Sequence, residues 1–457
     1  MAEEDSIREN HLWNTKKGSR DARTTSKKID LSNPEGKWIG MADDKDPQEI
    51  SQEESAEDTS NSQPNLQDGA FERAVREAGA NSTAEESLPE QFDSHVLNVD
   101  DTKADPSQNI TENIDTKNQV QDVILNKSLS NEDLLHMYRR MVLCRTLDER
   151  IWMLNRQGKA AIMASSQGHE ASQIGSVAAL RKKYDLFYIY YRDLAVLLDL
   201  GLTPTQIIKG FLAKQGEPLS GARQFPTHGA HPKYGIVNLS NVVATHMPQA
   251  VGAALAAKMN KEDRVVIVYF GDGASSAGDT HEAMNFASIH KLPVIFFCEN
   301  NKYAISVPLR KQMAVESVAS RAEGYGMPGF EVDGCDIVAV YEVTAESAKR
   351  ARSGEGPTLI EAQVERYLPH TSDDDDSIYR SAQEIEEAKK RDPLRLLRTS
   401  LQDIGQLSDN EDEIIQDEAR RLVNEATEEA EAAPYPETRD FYQHVVSDSG
   451  LEPGEYR

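Results

Sequence analysis

Apolar and polar positions along this chain change their period several times, and the changes mark out its elements. Residues 264–270 (Arg-Val-Val-Ile-Val-Tyr-Phe) and 293–298 (Pro-Val-Ile-Phe-Phe-Cys) are almost continuously β-branched or aromatic. That is the composition of parallel strands covered on both faces. Between them, 274–290 has the small-residue and apolar spacing of a helix lying on a sheet. Ser130-Asn-Glu-Asp133 forms a capping box ahead of a long amphipathic helix. Leu134, Leu135, Tyr138, Met141, Val142, Leu147 and Ile151 recur along it at helical spacing, and Gln157-Gly158 ends it. Further helices are expected after Gln167-Gly168-His169-Glu170 as far as Leu180, from Thr203-Pro204 to about Ala213, and from Met247-Pro248 to Lys258. Residues 187–191, 330–334 and 358–362 read as three more strands. Residues 216–238, rich in Gly, Pro and His, read as a long irregular loop, and such loops in compact domains are usually functional. Strands alternating with helices predict a doubly wound α/β fold with a parallel sheet.

The flanks look different. Between Trp38 and Leu125 the only aromatic residues are Phe71 and Phe92, among Asp, Glu, Ser, Gln and Asn. Such a stretch cannot bury enough apolar surface to offset the chain entropy lost on folding. Residues 1–125 are therefore expected to be a disordered acidic extension, in which 70–80 has the makings of a short helix or docking peptide. Residues 126–382 form the α/β domain, and 383–457 supply C-terminal helices and a tail packing on it or on a partner. One acidic helix is expected over 410–432, ended by Pro434-Tyr-Pro-Glu437. The formal net charge of −27 argues against nonspecific nucleic-acid binding, which needs clustered Lys and Arg. Cys144, Cys298 and Cys335 read as buried free thiols in a reducing compartment. No apolar run approaches a membrane span, and the acidic N-terminus lacks the features of a signal or transit peptide. A cytoplasmic location is expected.

The chemistry concentrates where two strands end. Gly271-Asp272-Gly273 follows the first buried strand and Asn300-Asn301 follows the second, so Asp272 and Asn301 share the carboxyl edge of the sheet, where open α/β sheets bind ligands. A carboxylate and an amide oxygen suit Mg²⁺, which keeps its other positions for phosphate and water. The N-terminus of the helix behind the glycines would offer N–H groups to an anion. Gly-Asp-Gly, about thirty intervening residues and Asn-Asn resemble the thiamine-diphosphate signature. That resemblance implies Asp272, Asn301 and the Tyr303 carbonyl as metal ligands, with Gly271, Gly273 and Ala274 beside the diphosphate.

Further motifs narrow the resemblance. Tyr190-Tyr-Arg-Asp193, Gly221-Ala-Arg-Gln-Phe-Pro-Thr-His228, Met247-Pro-Gln-Ala-Val-Gly252 and Asn300-Asn-Lys-Tyr-Ala-Ile-Ser306 follow in order. Together, over roughly 128–445, they resemble alpha subunits of the decarboxylase component of 2-oxo acid dehydrogenases. Pro369-His-Thr-Ser-Asp-Asp-Asp-Asp-Ser-Ile-Tyr-Arg380 resembles the active-site loop of the branched-chain (2-oxoisovalerate) type. The resemblance implies the transketolase-like diphosphate-binding fold and oxidative decarboxylation of branched-chain 2-oxo acids, with the acyl group passed to a lipoyl group. It implies that Tyr191 and Arg192 contact the diphosphate, that Ser240 and Val243 line the cofactor, and that His370 is catalytic near its reactive carbon. His228 is a further candidate for stabilising substrate, and some relatives bind K⁺ near Ser240 to His246. Two positions depart from animal relatives: Glu299 replaces an arginine before the Asn pair, and Thr371 occupies a position phosphorylated there. With Glu299, neutralising the diphosphate is left to Arg192, the metal and Lys302. No second set of buried strands follows Ala362, so a beta subunit is expected to complete the site in an α2β2 assembly docked on a lipoylated acyltransferase. A pyruvate or acetoin dehydrogenase alpha subunit, and a non-catalytic subunit with the same fold, remain alternatives.

Overall fold

The computed structural model describes residues 129–237 and 241–443. The expected acidic extension over 1–125, its 70–80 segment and Ser240 lie outside them. Helices α1 (Asn131–Arg156) and α2 (Glu170–Ala178) lead into strand β1 (Leu186–Tyr188). Then come α3 (Leu194–Leu200), α4 (Pro204–Phe211), β2 (Ile236–Val237) and α5 (His246–Met259). The centre of the chain forms β3 (Val266–Gly271), α6 (Gly278–Ile289) and β4 (Val294–Asn300). A small ribbon, β5 (Tyr303–Ala304) with β6 (Val307–Pro308), and the short α7 (Ala322–Tyr325) precede β7 (Gly329–Asp333), α8 (Ile337–Arg352) and β8 (Thr358–Gln363). Helices α9 (Ala382–Lys389), α10 (Pro393–Asp403) and α11 (Asp409–Ala432) follow. The capping box read at Ser130 forms as expected: the Asp133 amide donates to Ser130 Oγ, and the Ser130 amide to the Asp133 carboxylate.

Six strands pair in the order β2-β1-β3-β4-β8-β7, all parallel. Alternation along the central strands divides the core between two faces. Ile267, Tyr269, Ile295, Phe297 and Ile360 join α1 to α4, α8 and α11 on one side. Val266, Val268, Phe270, Phe296, Cys298 and Leu359 join α5 and α6 on the other. Truncating Phe296 or Phe297, both fully buried, would cost about 3–5 kcal/mol. All three cysteines are buried and unpaired, as read from the sequence. None of the described helices is long and apolar enough to cross a membrane.

Three local expectations change in ways that matter for the site. The strand expected over 187–191 stops at Tyr188, because the Tyr190 amide leaves the ladder and donates to Asp193 Oδ2 at 2.7 Å. That turn delivers Tyr191 and Arg192 beyond the sheet edge. The helix expected from Ala274 begins only at Gly278: Asp272–Ser276 winds as a 3₁₀ turn, and Ala277 is extended (φ −76°, ψ 147°). Inside the expected loop over 216–238, Ile236–Val237 adds an edge strand to β1.

Candidate active site

The strand order sets the position of the site. From β1 the chain crosses to β2 on one side and then to β3 on the other, so β1 and β3 flank a topological switch point, where doubly wound sheets bind ligands. A cavity of about 300 Å³ opens there. Of the residues singled out from the sequence, Tyr191, Arg192, Val243, Gly271, Asp272, Gly273, Ala274, Asn301, Tyr303 and His370 all line it. His228 instead lines a second cavity of about 210 Å³. Tyr191, Asn241 and His370 belong to both walls, so His370 stands where the two meet. Ile162, Phe211, Phe225 and Pro226 make the second cavity largely apolar.

The oxygen donors at the floor are held from behind. Asp272 is 1% exposed, and burial raises its carboxyl pKa. Its Oδ2 accepts from Gln312 Nε2 at 2.6 Å. Asn301 Nδ2 lies 3.3 Å from His169 Nε2, and the Asn301 oxygen accepts from the Tyr303 amide at 3.3 Å. Burial, with Arg192 and Arg366 nearby, pushes His169 well below its ordinary pKa, so its imidazole is neutral and Nε2 can accept from the amide. The Tyr303 amide, which can only donate, marks the other atom of the Asn301 side chain as the oxygen. One carboxylate, one amide oxygen and the Tyr303 carbonyl are hard donors of the kind Mg²⁺ takes alongside phosphate. Gly271 fits the same occupant. Its φ of −83° suits any residue, and a Cβ there would meet nothing nearer than the Glu299 carbonyl at 4.0 Å. Neither backbone nor packing requires glycine, yet the position lines the cavity, leaving room where a methyl group would stand. Gly273 is different, since a Cβ would lie 2.7 Å from that of Ala304. Gly271 at the end of β3 and Asp272 to Ala274 of the 3₁₀ turn face the cavity and Gly278 does not, so the turn, rather than the first turn of α6, is placed to meet a ligand there.

Arg192 is 1% exposed, and its bonds go to neutral acceptors. Nη1 donates to the Ser165 carbonyl at 2.7 Å; Nη2 donates to the His370 carbonyl at 3.2 Å and to His370 Nδ1 at 3.3 Å. A guanidinium with donors to spare at a cavity wall suits phosphate oxygens. Burial, then Arg192 and Arg366, push His370 down to about 3. Its imidazole is therefore neutral; with Nδ1 accepting from Arg192, the ring proton sits on Nε2. The loop is fixed by the His370 amide donating to Asp374 Oδ2 at 2.8 Å, and Asp374 also accepts from the Tyr379 hydroxyl.

Lys302 and Glu299 stand apart from the cavity. Lys302 Nζ pairs with Glu365 at 2.8 Å, so Arg192 is the cation that the cavity wall provides. Glu299 is fully buried below the site, accepting from Ser172 Oγ and Tyr190 Oη, both at 2.8 Å, and from Gln173 Nε2 at 3.2 Å. Asn241 and Gln312 were not singled out from the sequence. Gln312 had no local signal, since the β5–β6 ribbon brings it against Asp272 from forty residues away.

Hard oxygen donors, a buried arginine and a neutral histidine at the switch point of a doubly wound parallel sheet define a ligand-binding α/β protein. Residues 138–439 match the dehydrogenase E1 component family, and the chain belongs to that family, which is thiamine-diphosphate dependent. It is 51% identical over 319 residues to the 2-oxoisovalerate dehydrogenase subunit alpha of Bacillus subtilis (70% of this chain, 97% of that one). It is 40% identical over 328 residues to the 3-methyl-2-oxobutanoate dehydrogenase subunit alpha of Mycobacterium tuberculosis (72% and 86%). To the human mitochondrial 2-oxoisovalerate dehydrogenase subunit alpha it is 38% identical over 321 residues (70% and 72%).

Proposed function

We propose that this chain is the alpha subunit of a branched-chain 2-oxo acid dehydrogenase, acting on 3-methyl-2-oxobutanoate and its homologues. The observation that carries the reading is the pair of cavities meeting at His370, one lined by Asp272, Asn301 and Arg192, the other largely apolar. An aliphatic 2-oxo acid matches the second, with Phe225, Ile162 and Pro226 facing its branched side chain and His228 at its polar end. Bound thiamine diphosphate supplies the nucleophilic carbon and the electron sink for decarboxylation. Arg192, Tyr191 and the Gly271 to Ala274 turn hold its diphosphate; Asp272, Asn301 and the Tyr303 carbonyl hold Mg²⁺. His370 offers its Nε2 proton as a hydrogen bond during acyl transfer to the lipoyl group, since an imidazole held at about 3 is neutral near neutral pH and has no second proton to give. Ser240, and K⁺ held between Ser240 and His246, belong to this reading as flanking supports of the cofactor.

The cavity mouth is apolar and open: Val242 is 63% exposed, Val243 59% and Ile305 56%. Exposed apolar patches mark interaction sites. The reading has a beta subunit covering this mouth in an α2β2 assembly, served by a lipoylated acyltransferase, in the cytoplasm. Residues 126–382 are taken as the cofactor domain, with the C-terminal helices and tail over 383–457 packing on it or on the partner. The test is to express the chain with and without a candidate beta subunit and supply thiamine diphosphate, Mg²⁺, 3-methyl-2-oxobutanoate and an artificial electron acceptor. Activity only in the pair is expected. Turnover by the pure chain would sink the shared-site reading, and an inactive pair that still binds the cofactor would favour a non-catalytic subunit.

A further inference from the structure

The segment between α1 and α2 lines the second cavity and braces residues of the first without any regular secondary structure of its own. Residues 161–166 belong to no helix or strand. Yet the Ser165 carbonyl is the acceptor for Arg192 Nη1 at 2.7 Å. Met163 grips the His370 loop in both directions: its carbonyl accepts from the Ser372 amide at 2.8 Å, and its amide donates to Ser372 Oγ at 3.1 Å. Ile162 and Ala164 face the second cavity. The Ser165–Gln167 end of the segment, which carries the carbonyl that Arg192 meets, is fixed by a single carboxylate.

That carboxylate is Asp148, on α1, fully buried and absent from both cavity walls. Oδ1 accepts from Ser165 Oγ at 2.7 Å and Gln167 Nε2 at 3.0 Å; Oδ2 accepts from the Ser166 amide at 2.7 Å and Ser166 Oγ at 3.1 Å. All four partners are donors, which suits an ionised, acceptor-only group. Charge-assisted bonds of this kind are about twice as strong as neutral ones. They hold the Ser165 peptide with its carbonyl toward Arg192, while α1 itself is anchored in the core.

We propose that Asp148 is a positioning residue for the bound diphosphate, acting through the Ser165 carbonyl to aim the Arg192 guanidinium. The proposal rests on the thiamine diphosphate reading of the cavity. A phosphate contact depends on the guanidinium's angle as well as its presence. Small misplacements at a site cost roughly a hundredfold, and loss of a supporting hydrogen bond typically about ten- to a hundredfold.

The experiment is a thiamine diphosphate titration, at fixed Mg²⁺, of the chain co-purified with its beta partner and stripped of cofactor, read by tryptophan fluorescence. Asp148→Asn keeps the shape but sets an amide N–H₂ against donors. It is expected to raise the apparent Kd about tenfold or more, while kcat at saturating cofactor falls by less than about threefold. In an Arg192→Ala background the same substitution is expected to change Kd by less than about twofold, because its route to the cofactor is gone. Equal fold-losses in both backgrounds would overturn the proposal and make Asp148 a general structural support. If Asp148→Asn does not assemble, Ser165→Ala, which removes one of the four bonds and keeps the carbonyl, must still weaken binding a few-fold; no change would overturn it too. Failure of the unaltered assembly to bind thiamine diphosphate would instead refute the reading of the cavity itself.

Discussion

Gly271→Ala separates the needs of the fold from those of the cofactor. At φ −83° alanine is unstrained, and its Cβ would have no neighbour nearer than 4.0 Å. Replacing glycine at such a position stabilises by about 0.4–1 kcal/mol, through lost freedom of the unfolded chain. That is worth a rise of roughly 1–4 °C in melting temperature for a domain of this size. The added methyl group, however, enters the cavity where the proposed diphosphate would lie against the 3₁₀ turn. Overpacking costs about 1–3 kcal/mol, or roughly 5- to 150-fold in Kd. The assay is a pair of measurements on the assembly with its beta partner: thermal unfolding without cofactor, and calorimetric titration of thiamine diphosphate with Mg²⁺. Unchanged or raised stability with clearly weakened binding is expected. Intact binding would show that no anion packs against Gly271. A drop of several degrees would show that the glycine serves the fold, as expected for Gly273→Ala, whose Cβ would crowd Ala304 at 2.7 Å.

Other substitutions address the remaining parts of the site. His370→Asn keeps an acceptor for Arg192 but loses the Nε2 proton, so cofactor affinity should hold while acyl transfer falls by about 10²-fold or more; full activity would remove His370 from the chemistry. Gln312→Leu frees Asp272 Oδ2, and Mg²⁺ affinity, followed by the metal concentration needed for half-maximal activity, should weaken roughly tenfold; an unchanged requirement would leave Gln312 without a role. The pH dependence of stability follows from His370, held at about 3 against an ordinary 6.5. Below pH 6.5 the unfolded chain takes up a proton that the fold refuses, so this stability is full above pH 6.5 and lost as pH falls towards 3. Melting temperature between pH 6.5 and 4 should therefore fall less steeply in His370→Asn, and equal slopes would contradict the neutral imidazole.

What the sequence revealed follows from where each signal resides. Asp272 and Asn301 were legible because short polar motifs closed two strands of strong composition, and the parallel pairing of β3 and β4, with Gly271 opposite Glu299, brings both to one cavity at the sheet edge. Arg192 was legible as the residue after an aromatic run. Helix α3 was not, because all seven of its residues are buried and Leu-Ala-Val-Leu-Leu-Asp-Leu has no polar face to give a period. The 3₁₀ turn was missed for a related reason: small residues over 272–278 fit a helix as well as a turn, and only packing decides. Gln312, Asn241 and Asp148 act through contacts distant in sequence, for which single-chain patterns hold no signal. The change of chemistry at Glu299 was visible, but its burial beneath Tyr190, away from the cavity, was not.

The most direct measurement is the ratio of kcat/KM for 3-methyl-2-oxobutanoate to that for pyruvate in the assembly with its beta partner, thiamine diphosphate and Mg²⁺. The apolar cavity beside His370 predicts a clear preference for the branched acid, since each methylene in such a pocket is worth about 1–3 kcal/mol. A preference for pyruvate would contradict the account and identify the chain as the alpha subunit of a pyruvate-type enzyme.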